Sequence, residues 1–474
     1  MKRTVKHSHG DIYMIKRILI AALVVSALAS QAFADEKVKN IIFFLGDGMG
    51  PTTVTAARIY KYNEEGQLNF EKFERTARIK TYSNDAQTTD SAPSMAAYMT
   101  GVKANNEVIS MTPETVATPP SADTHGNLTI NNCEPANGKA VTTILEMAKA
   151  KGKSVGAITT TELTHATPAA TFSHICNRNA QYDIAAQLIP GGAGANLALG
   201  SGVDVLMGGG RNQFKPWDAV SNPKGRADGR DLLAELVDYT VASTRDEMLA
   251  APNTGKFIGL YSSKGHLEYE LDRANGVGEG VTQPSLAEMT GKAIDILSRN
   301  AGGYFLMVEG GRIDHALHGT NAKRVMEDTI AFDDAIKVAL DKVLKSDPQL
   351  RQTLIIVTAD HDHTMTFNGY VKRGNPILGI STGIDGKPIL DKNGITSSTL
   401  VFGNGPNRPS TRTALTSETV MADNYQQESG VRLSSETHGG GDVELFATGA
   451  GSETFKGTMD NTKVFNLMKT AFGF

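Results

Sequence analysis

Ser91 stands where a side chain of this sequence could act as a nucleophile. Residues 94–100 contain no helix breaker and Gly101 follows them, so we predict a helix that begins just after Ser91. Pro93 fits there because the first helical turn has backbone N–H groups without partners. The start of a helix carries partial positive charge, and a bound cation would lower the pKa of the hydroxyl further. The simpler interpretation is that Ser91 only caps the helix, a role that serine often has.

Acidic residues and histidines follow four predicted strands. Apolar runs at 40–45, 154–160, 304–308 and 353–358 are typical of strands buried on both faces. The polar residues that follow them are, in chain order, Asp47, His165, Thr167, Glu309, Asp314, Asp360 and His361. Helical patterns alternate with the strands, which predicts an α/β fold: a three-layer α/β/α sandwich with a large, mainly parallel central sheet. Sites form at the carboxyl ends of such strands, so we expect these residues to converge.

The types of these residues favour metal binding. Asp314 and His318 are four residues apart, which places both on one face of a helix. Asp360 and His361 form an adjacent pair after a strand, and His438 lies in a glycine-rich segment near the end of the chain. Zinc takes histidine nitrogen and carboxylate oxygen, whereas magnesium prefers carboxylates, hydroxyls and water. Each histidine alone has an ordinary alternative in the core or on the surface, but together they predict a metal centre.

The glycine-rich turn at 46–50 has a second interpretation. Gly-Asp-Gly-Met-Gly after a buried strand resembles the turn of a dinucleotide-binding fold. Asp47, however, would face the ligand phosphates and repel them unless a metal ion intervened. A metal-binding carboxylate at the end of the strand therefore explains Asp47 better.

Length and charge restrict the class of protein. The chain has 474 residues, long enough for about three domains, although large α/β enzymes often use one sheet. The net charge is −4 and Lys and Arg are spread along the chain, so nucleic acid is not expected as a specific partner. Beyond the N-terminus no apolar run approaches the thickness of a bilayer, so we expect no transmembrane span in the mature chain.

The N-terminus predicts export. Lys16-Arg17 precedes an apolar run at 18–28, and Ala32-Phe33-Ala34 supplies a small-x-small cleavage site. We interpret residues 1–34 as a signal peptide cut near Ala34, with translation starting at Met1 or Met14, and expect a periplasmic or secreted protein. The alternative is an N-terminal membrane anchor, for which the apolar run is short.

Two further features concern the exported chain. Cys133 and Cys176 are its two cysteines, and an oxidising compartment would allow them to form a disulfide. Residues 364–437 are rich in Gly, Pro, Ser and Asn, which indicates a surface subdomain inserted before the last strand.

The mature chain, residues 35–474, resembles the alkaline phosphatase family. The resemblance rests on Gly-Asp-Gly-Met-Gly at 46–50, Thr-Asp-Ser-Ala at 89–92, His-Ala-Thr-Pro-Ala at 165–169, Asn-Arg at 177–178, Glu-Gly-Gly-Arg-Ile-Asp-His at 309–315, Thr-Ala-Asp-His at 358–361 and Thr-His-Gly-Gly at 437–440. These motifs are specific, stand in the order of the family and extend over most of the chain.

The resemblance implies a phosphate monoester hydrolase with two Zn²⁺ and one Mg²⁺ per subunit, which releases inorganic phosphate through a phosphoserine on Ser91. By position, Asp314, His318 and His438 match the ligands of one zinc ion. Asp360, His361 and Asp47 match those of the second, which Ser91 also contacts. Asp47 would in addition reach the magnesium ion, completed by Thr167 and Glu309. Arg178 matches the arginine that holds the substrate phosphate with two parallel hydrogen bonds.

Departures from the family pattern have consequences of their own. His165 stands where some bacterial members have an aspartate, so we expect it beside the third metal rather than bound to it. Ser262 follows Tyr261 where mammalian members have an acidic calcium ligand, so we expect no calcium there. The insertion at 364–437 resembles the crown subdomain, which in the family packs across a dimer axis, so we expect a homodimer.

Three alternatives remain at the level of sequence. A phosphodiesterase or a sulfatase could use the same scaffold, although Met95 occupies the place of the arginine that the sulfatase maturation motif requires. An exported metal-binding protein without catalysis is the third. It would need the metal ligands but neither Ser91 nor Arg178.

Overall fold

The computed structural model describes residues 38–474. The predicted signal peptide, residues 1–34, and the alternative start at Met14 lie outside the described residues. Across residues 38–474, no helix combines the length and apolar character needed to cross a bilayer.

Strands and helices alternate through most of the described chain. The strands are β1 (Asn40–Gly46), β2 (Arg75–Lys80), β3 (Ser121–Ala122), β4 (Leu128–Ile130), β5 (Ser154–Glu162), β6 (Val205–Gly209), β7 (Tyr239–Ala242), β8 (Lys256–Leu260), β9 (Tyr304–Gly310), β10 (Thr353–Thr358), β11 (Asp362–His363), β12 (Met365–Phe367), β13 (Leu400–Gly405), β14 (Ser429–Arg432), β15 (His438–Gly439), β16 (Val443–Gly449) and β17 (Gly457–Asp460). The α-helices are α1 (Pro51–Tyr62), α2 (Ser91–Thr100), α3 (Ile144–Ala150), α4 (Ala166–Phe172), α5 (Gln181–Gln187), α6 (Leu232–Glu235), α7 (Arg245–Ala250), α8 (Glu270–Ala274), α9 (Leu286–Leu297), α10 (Arg312–His318), α11 (Ala322–Ser346), α12 (Ser417–Val420) and α13 (Asn461–Phe472).

A ten-stranded sheet in the order β17-β2-β16-β10-β1-β9-β5-β6-β8-β7 forms the centre of the described chain. Its neighbouring strands run parallel, except that β16 is antiparallel to both β10 and β2. The apolar runs of β1, β9 and β10 are buried along nearly their whole length, as expected for strands covered on both faces. The predicted α/β class with a mainly parallel sheet is confirmed.

The helices pack in two groups. α1, α8, α9 and α10 each contact α11, and α2, α3, α4 and α13 form a second set of contacts. Because the central strands are buried on both faces, each group covers one face of the sheet. This is the three-layer arrangement expected from the sequence.

The start of α2 differs from the prediction. We expected the helix to begin after Ser91, but it begins at Ser91 itself, and Asp90 is the cap, accepting a hydrogen bond from the Ala92 backbone N–H at 2.7 Å. Pro93 is tolerated because its position needs no backbone donor. The interpretation of Ser91 as a simple cap is therefore wrong, since the neighbouring carboxylate has that role.

The inserted segment at 364–437 forms a small sheet of its own. β12, β13 and β14 pair with one another in three strands, separate from the central sheet. Before and after the segment, β11 and β15 pair in an antiparallel ladder that sets His363 opposite His438. The two ends of the insertion therefore meet beside the predicted ligand His438. Elsewhere, Cys133 and Cys176 form the disulfide that the sequence allowed.

Candidate metal centre and nucleophile

Four adjacent strands supply most of the candidate site. β10, β1, β9 and β5 are neighbours in the sheet, and their carboxyl ends therefore lie side by side. Asp47 directly follows β1, Glu309 is the last residue but one of β9, and Asp360 is the second residue after β10. After β5, His165 precedes α4 and Thr167 is the second residue of that helix. The convergence predicted from the sequence follows from this strand order.

Ser91 lies against this group of side chains. Its Oγ is 3.3 Å from Asp47 Oδ1, 3.4 Å from Asp47 Oδ2 and 3.3 Å from His361 Nε2. Two contacts attach α2 to the segment after β10, since Ser94 Oγ donates to the Asp360 carbonyl at 2.7 Å and Tyr98 Oη to the Ala359 carbonyl at 2.9 Å. The helix thus places the serine hydroxyl at a fixed distance from the Asp47 carboxylate.

Asp314, His318 and His438 form the first predicted ligand set. Asp314 Oδ1 is 3.3 Å from His318 Nε2 and 3.4 Å from His438 Nε2. His318 Nδ1 lies 2.6 Å from the Glu436 carbonyl, and His438 Nδ1 lies 2.9 Å from the Thr89 carbonyl. Because a carbonyl oxygen only accepts, each Nδ1 carries a proton, which leaves Nε2 as the nitrogen that can bind a metal ion. This is the tautomer that a metal-binding histidine needs.

Asp47, Asp360 and His361 form the second set, and all three are fully buried. His361 Nε2 lies 3.3 Å from Asp47 Oδ1 and 3.4 Å from Asp360 Oδ2. The Gly48 backbone N–H donates to Asp360 Oδ1 at 2.9 Å. Within residues 38–474, Asp360 Oδ2 is buried without a hydrogen-bond partner. A cation would satisfy that oxygen.

The third set combines Asp47 with residues of β9 and α4. Thr167 Oγ1 donates to Asp47 Oδ2 at 3.4 Å, and Asp47, Glu309 and His165 place one ligand atom each within 4.8 Å of the others. Glu309 Oε2 accepts from the hydroxyl of Thr159, while Glu309 Oε1 is buried without a partner in the described part of the chain. The hydroxyl and carboxylate oxygens are ligands that magnesium prefers.

The electrostatics of these carboxylates also call for a cation. The pKa of Asp47 is raised to about 7, mainly by burial and secondly by the negative charge of Asp314. Burial and the Asp47 carboxylate raise the pKa of Asp360 to about 7 and hold the pKa of Glu309 well above its ordinary value. Buried carboxylates this close together ionise only if positive charge compensates them. The donor atoms and their charge therefore fit metal ions.

Arg178 lies beside the first turn of α2, where it contacts the cap residue Asp90. One guanidinium nitrogen donates to Asp90 Oδ1 at 2.9 Å and the other to His165 Nε2 at 3.1 Å. Because the guanidinium only donates, His165 Nε2 must keep its lone pair for Arg178. The pKa of His165 is lowered well below its usual range, mainly by burial and secondly by the positive charge of Arg178, so the ring is neutral. His165 Nε2 thus contacts Arg178, and the support of His165 for the site beside a metal ion stays a prediction.

Sequence reasoning assigned no role to four residues that the structure brings to this region. His363 Nε2 is 2.8 Å from Asp314 Oδ1, and its Nδ1 is 2.6 Å from Glu436 Oε2. The rings of His266 and His315 lie 4.3 Å apart and within 5.4 Å of the His165 ring. Only His363 had a signal in the sequence, because it stands two residues after His361 in an extended segment, where alternate side chains share a face.

A buried group of carboxylates and imidazoles beside a serine, at the carboxyl edge of an α/β sheet, is an arrangement that metal-dependent hydrolases use. The family model for alkaline phosphatase matches residues 38–474. The chain belongs to the alkaline phosphatase family and is a phosphomonoesterase.

Individual relatives agree with this membership. The membrane-bound alkaline phosphatase of Bombyx mori is 37% identical over 472 residues, which cover 91% of this chain and 80% of the relative. The tissue-nonspecific isozyme of Homo sapiens is 36% identical over 488 residues, covering 94% of this chain and 86% of the relative. Among solved structures, the alkaline phosphatase of Thermus thermophilus superposes with a TM-score of 0.66 at 25% identity, covering 92% of each chain. That of the Antarctic bacterium TAB5 has a TM-score of 0.63 at 24% identity, covering 93% of this chain and 99% of the other, and shows the shared fold.

Proposed function

We propose that the chain hydrolyses phosphate monoesters through a phosphoserine on Ser91, in a centre of two zinc ions and one magnesium ion. The position of Ser91 Oγ, 3.3 Å from both Asp47 Oδ1 and His361 Nε2, carries the proposal. A serine held this close to a buried carboxylate and an unprotonated imidazole nitrogen can share a cation with them. A cap or a structural serine has no need of that position.

The three metal ions are assigned by the donor atoms that surround them. Asp314, His318 and His438 would hold one zinc ion, Asp47, Asp360 and His361 the second, and Asp47, Thr167 and Glu309 the magnesium ion. When bound, the ions would lower the pKa of the Ser91 hydroxyl and of a water molecule, and would neutralise charge that develops on the attacking and leaving oxygens.

Two side chains, Arg178 and Ser91, act directly on the substrate in the proposed reaction. Arg178 binds two oxygens of the phosphate and aligns the phosphorus with Ser91 Oγ. Ser91 gives its hydroxyl proton to a hydroxide ion of the solvent, and Oγ attacks phosphorus. The Oγ–P bond forms, the bond from phosphorus to the ester oxygen breaks, and the leaving alcohol takes a proton from water, which regenerates the hydroxide ion. A water molecule then attacks the phosphoserine, its oxygen binds phosphorus, the Oγ–P bond breaks and inorganic phosphate is released. The second step returns a proton to Ser91.

We also infer export and assembly of the enzyme. The basic, apolar and small-residue pattern of residues 1–34 supports a cleaved signal peptide and a periplasmic or secreted enzyme. The disulfide between Cys133 and Cys176 is compatible with an oxidising compartment. We expect a homodimer in which the insertion at 364–437 packs against its copy.

The test is hydrolysis of a chromogenic phosphate monoester at alkaline pH, before and after chelation, with zinc and magnesium then added back. We expect activity to disappear with the chelator and to return with the metals. Ser91→Ala should reduce kcat by at least about 10³-fold, because the nucleophile is lost, while Ser221→Ala at an exposed position should match the wild type. Activity that survives chelation, or zinc-loaded protein that acts on sulfate esters or diesters but not on monoesters, would contradict the proposal.

A further inference from the structure

We propose that Glu436 is a positioning residue for the zinc site formed by Asp314, His318 and His438. It acts through its carboxylate on His363 and Asp314, and through its backbone on His318. This inference rests on the proposed metal centre and adds to it a residue that itself binds neither metal nor substrate.

The carboxylate of Glu436 reaches Asp314 through one imidazole. Glu436 Oε2 lies 2.6 Å from His363 Nδ1, and His363 Nε2 lies 2.8 Å from Asp314 Oδ1. Glu436 and His363 are only 2% and 4% exposed. Because the imidazole ring is rigid and bound at both nitrogens, the orientation of one carboxylate determines that of the other. His363 thus connects Glu436 to the Asp314 oxygen that His318 and His438 also approach.

The second carboxylate oxygen is also held by donors. Glu436 Oε1 accepts from the Thr364 backbone N–H at 2.7 Å and from the Thr364 hydroxyl at 2.6 Å. The side chain therefore has hydrogen bonds on both oxygens and cannot rotate without breaking at least one of them. A carboxylate fixed in this way can hold His363 in a single orientation.

The backbone of Glu436 holds another ligand. Its carbonyl accepts from His318 Nδ1 at 2.6 Å, and its N–H donates to the His318 carbonyl at 3.1 Å. The first bond places the proton on Nδ1, so that Nε2 is free for a metal ion. Two residues further along the chain, His438 is the third ligand. One residue at the end of the insertion is therefore linked to all three ligands of this site.

Loss of the carboxylate should act on one metal site. Without Glu436 Oε2, His363 keeps only the bond to Asp314, so both side chains gain rotational freedom and the ligand set is less well oriented. Among the described residues, Glu436 forms no hydrogen bond or ion pair with the second ligand set, Asp47, Asp360 and His361, which keeps its own partners. We therefore expect weaker binding of one zinc ion, with the other unchanged.

The experiment measures zinc release from the loaded enzyme into excess chromogenic chelator, together with the visible spectrum of the cobalt(II)-substituted protein. Variants are Glu436→Gln, His363→Asn and the double variant. Glu428→Gln is the matched control, because Glu428 also lies in the insertion but pairs with Arg412, away from the metal ligands.

In Glu436→Gln we expect one of two zinc ions to bind roughly 10- to 100-fold more weakly, with a changed cobalt spectrum at that site. The double variant should lose no more than the larger single effect, because both residues act along one path. The assignment would be overturned if Glu436→Gln released both zinc ions as slowly as wild type and Glu428→Gln. It would also be overturned if Glu436→Gln had a lower Tm but unchanged zinc release. The zinc content of the wild-type enzyme is measured before that of any variant. Fewer than two zinc ions per chain would contradict the proposed metal centre itself.

Discussion

At the scale of single residues, the groups that would contact the substrate are held in place by hydrogen bonds to residues that do not react. Asp90 is the clearest case, since its carboxylate accepts both from the first turn of the Ser91 helix and from Arg178. The proposed nucleophile and the guanidinium proposed to bind phosphate are therefore both held by the Asp90 carboxylate. His165 holds the other guanidinium nitrogen, so Arg178 presents its remaining donors in a fixed direction.

For Arg178→Ala we expect the inhibition constant of inorganic phosphate to rise roughly 10- to 100-fold, because two charge-assisted hydrogen bonds are lost. Arg178→Lys should recover only part of this affinity, since an ammonium group cannot form the same paired bonds. Zinc content, measured by atomic absorption, should stay at the wild-type level in both. Arg245→Ala, at a side chain 42% exposed and outside the site, is the control. Loss of zinc from Arg178→Ala would mean that Arg178 is structural.

At the scale of elements, α11 carries a buried carboxylate, Asp328, that lies outside the candidate metal centre. Asp328 is 6% exposed, and its two oxygens lie 3.3 Å from the Glu270 backbone N–H. Burial raises the pKa of Asp328 to about 8, against the opposing effect of Arg312. The metal-ligand groups found among the described residues do not include it. Its burial is therefore a cost to stability at alkaline pH rather than part of a metal site.

Asp328→Asn should stabilise the protein at alkaline pH but not at acid pH. An aspartate whose folded pKa is raised from 3.8 to about 8 contributes stability below pH 4 that is lost as the pH rises through 8. The asparagine does not titrate, so the difference in unfolding free energy from wild type should grow across this window, by at most about 1.4 kcal/mol per pH unit. Thermal unfolding at several pH values measures it. Asp334→Asn, an exposed neighbour on α11, should show no such trend, and a parallel trend in both variants would contradict the explanation.

At the scale of the whole molecule, the insertion at 364–437 exposes several large apolar side chains to solvent. Tyr370 is 95% exposed and Ile384 86% exposed, and Leu390 is exposed to 53%. A dimer interface formed by the insertion would remove these side chains from water. This agrees with the homodimer that we infer.

We expect the enzyme to sediment as a dimer, and Tyr370→Ser combined with Ile384→Ser to shift it towards monomer, because apolar surface is removed from the interface. Analytical ultracentrifugation at several concentrations measures the change. Leu197→Ser is the control, since Leu197 is 84% exposed but lies outside the insertion. A wild-type monomer, or a double variant that dimerises as tightly as the control, would rule out this interface.

The elements that could be predicted were those whose signal is local. β1, β5, β9 and β10 were found from apolar runs because a strand covered on both faces must be apolar along its length. Asp314 and His318 were paired correctly because helical periodicity places them on one face. The first residue of α2 was missed because Asp90 and Ser91 are both good caps, and only the hydrogen bond to Ala92 distinguishes them.

The residue types, their local periodicity and the family motifs therefore determine the α/β class, the helix that carries Ser91 and most of the candidate metal ligands. The tertiary structure decides which of them meet. The order β10-β1-β9-β5 places Asp360, Asp47 and Glu309 side by side although they come from distant parts of the chain. Glu436 lies 73 residues from His363, and no local pattern encodes such a contact. The contact forms because β15, which follows the insertion, pairs with β11, which precedes it. This pairing brings the two side chains within hydrogen-bonding distance.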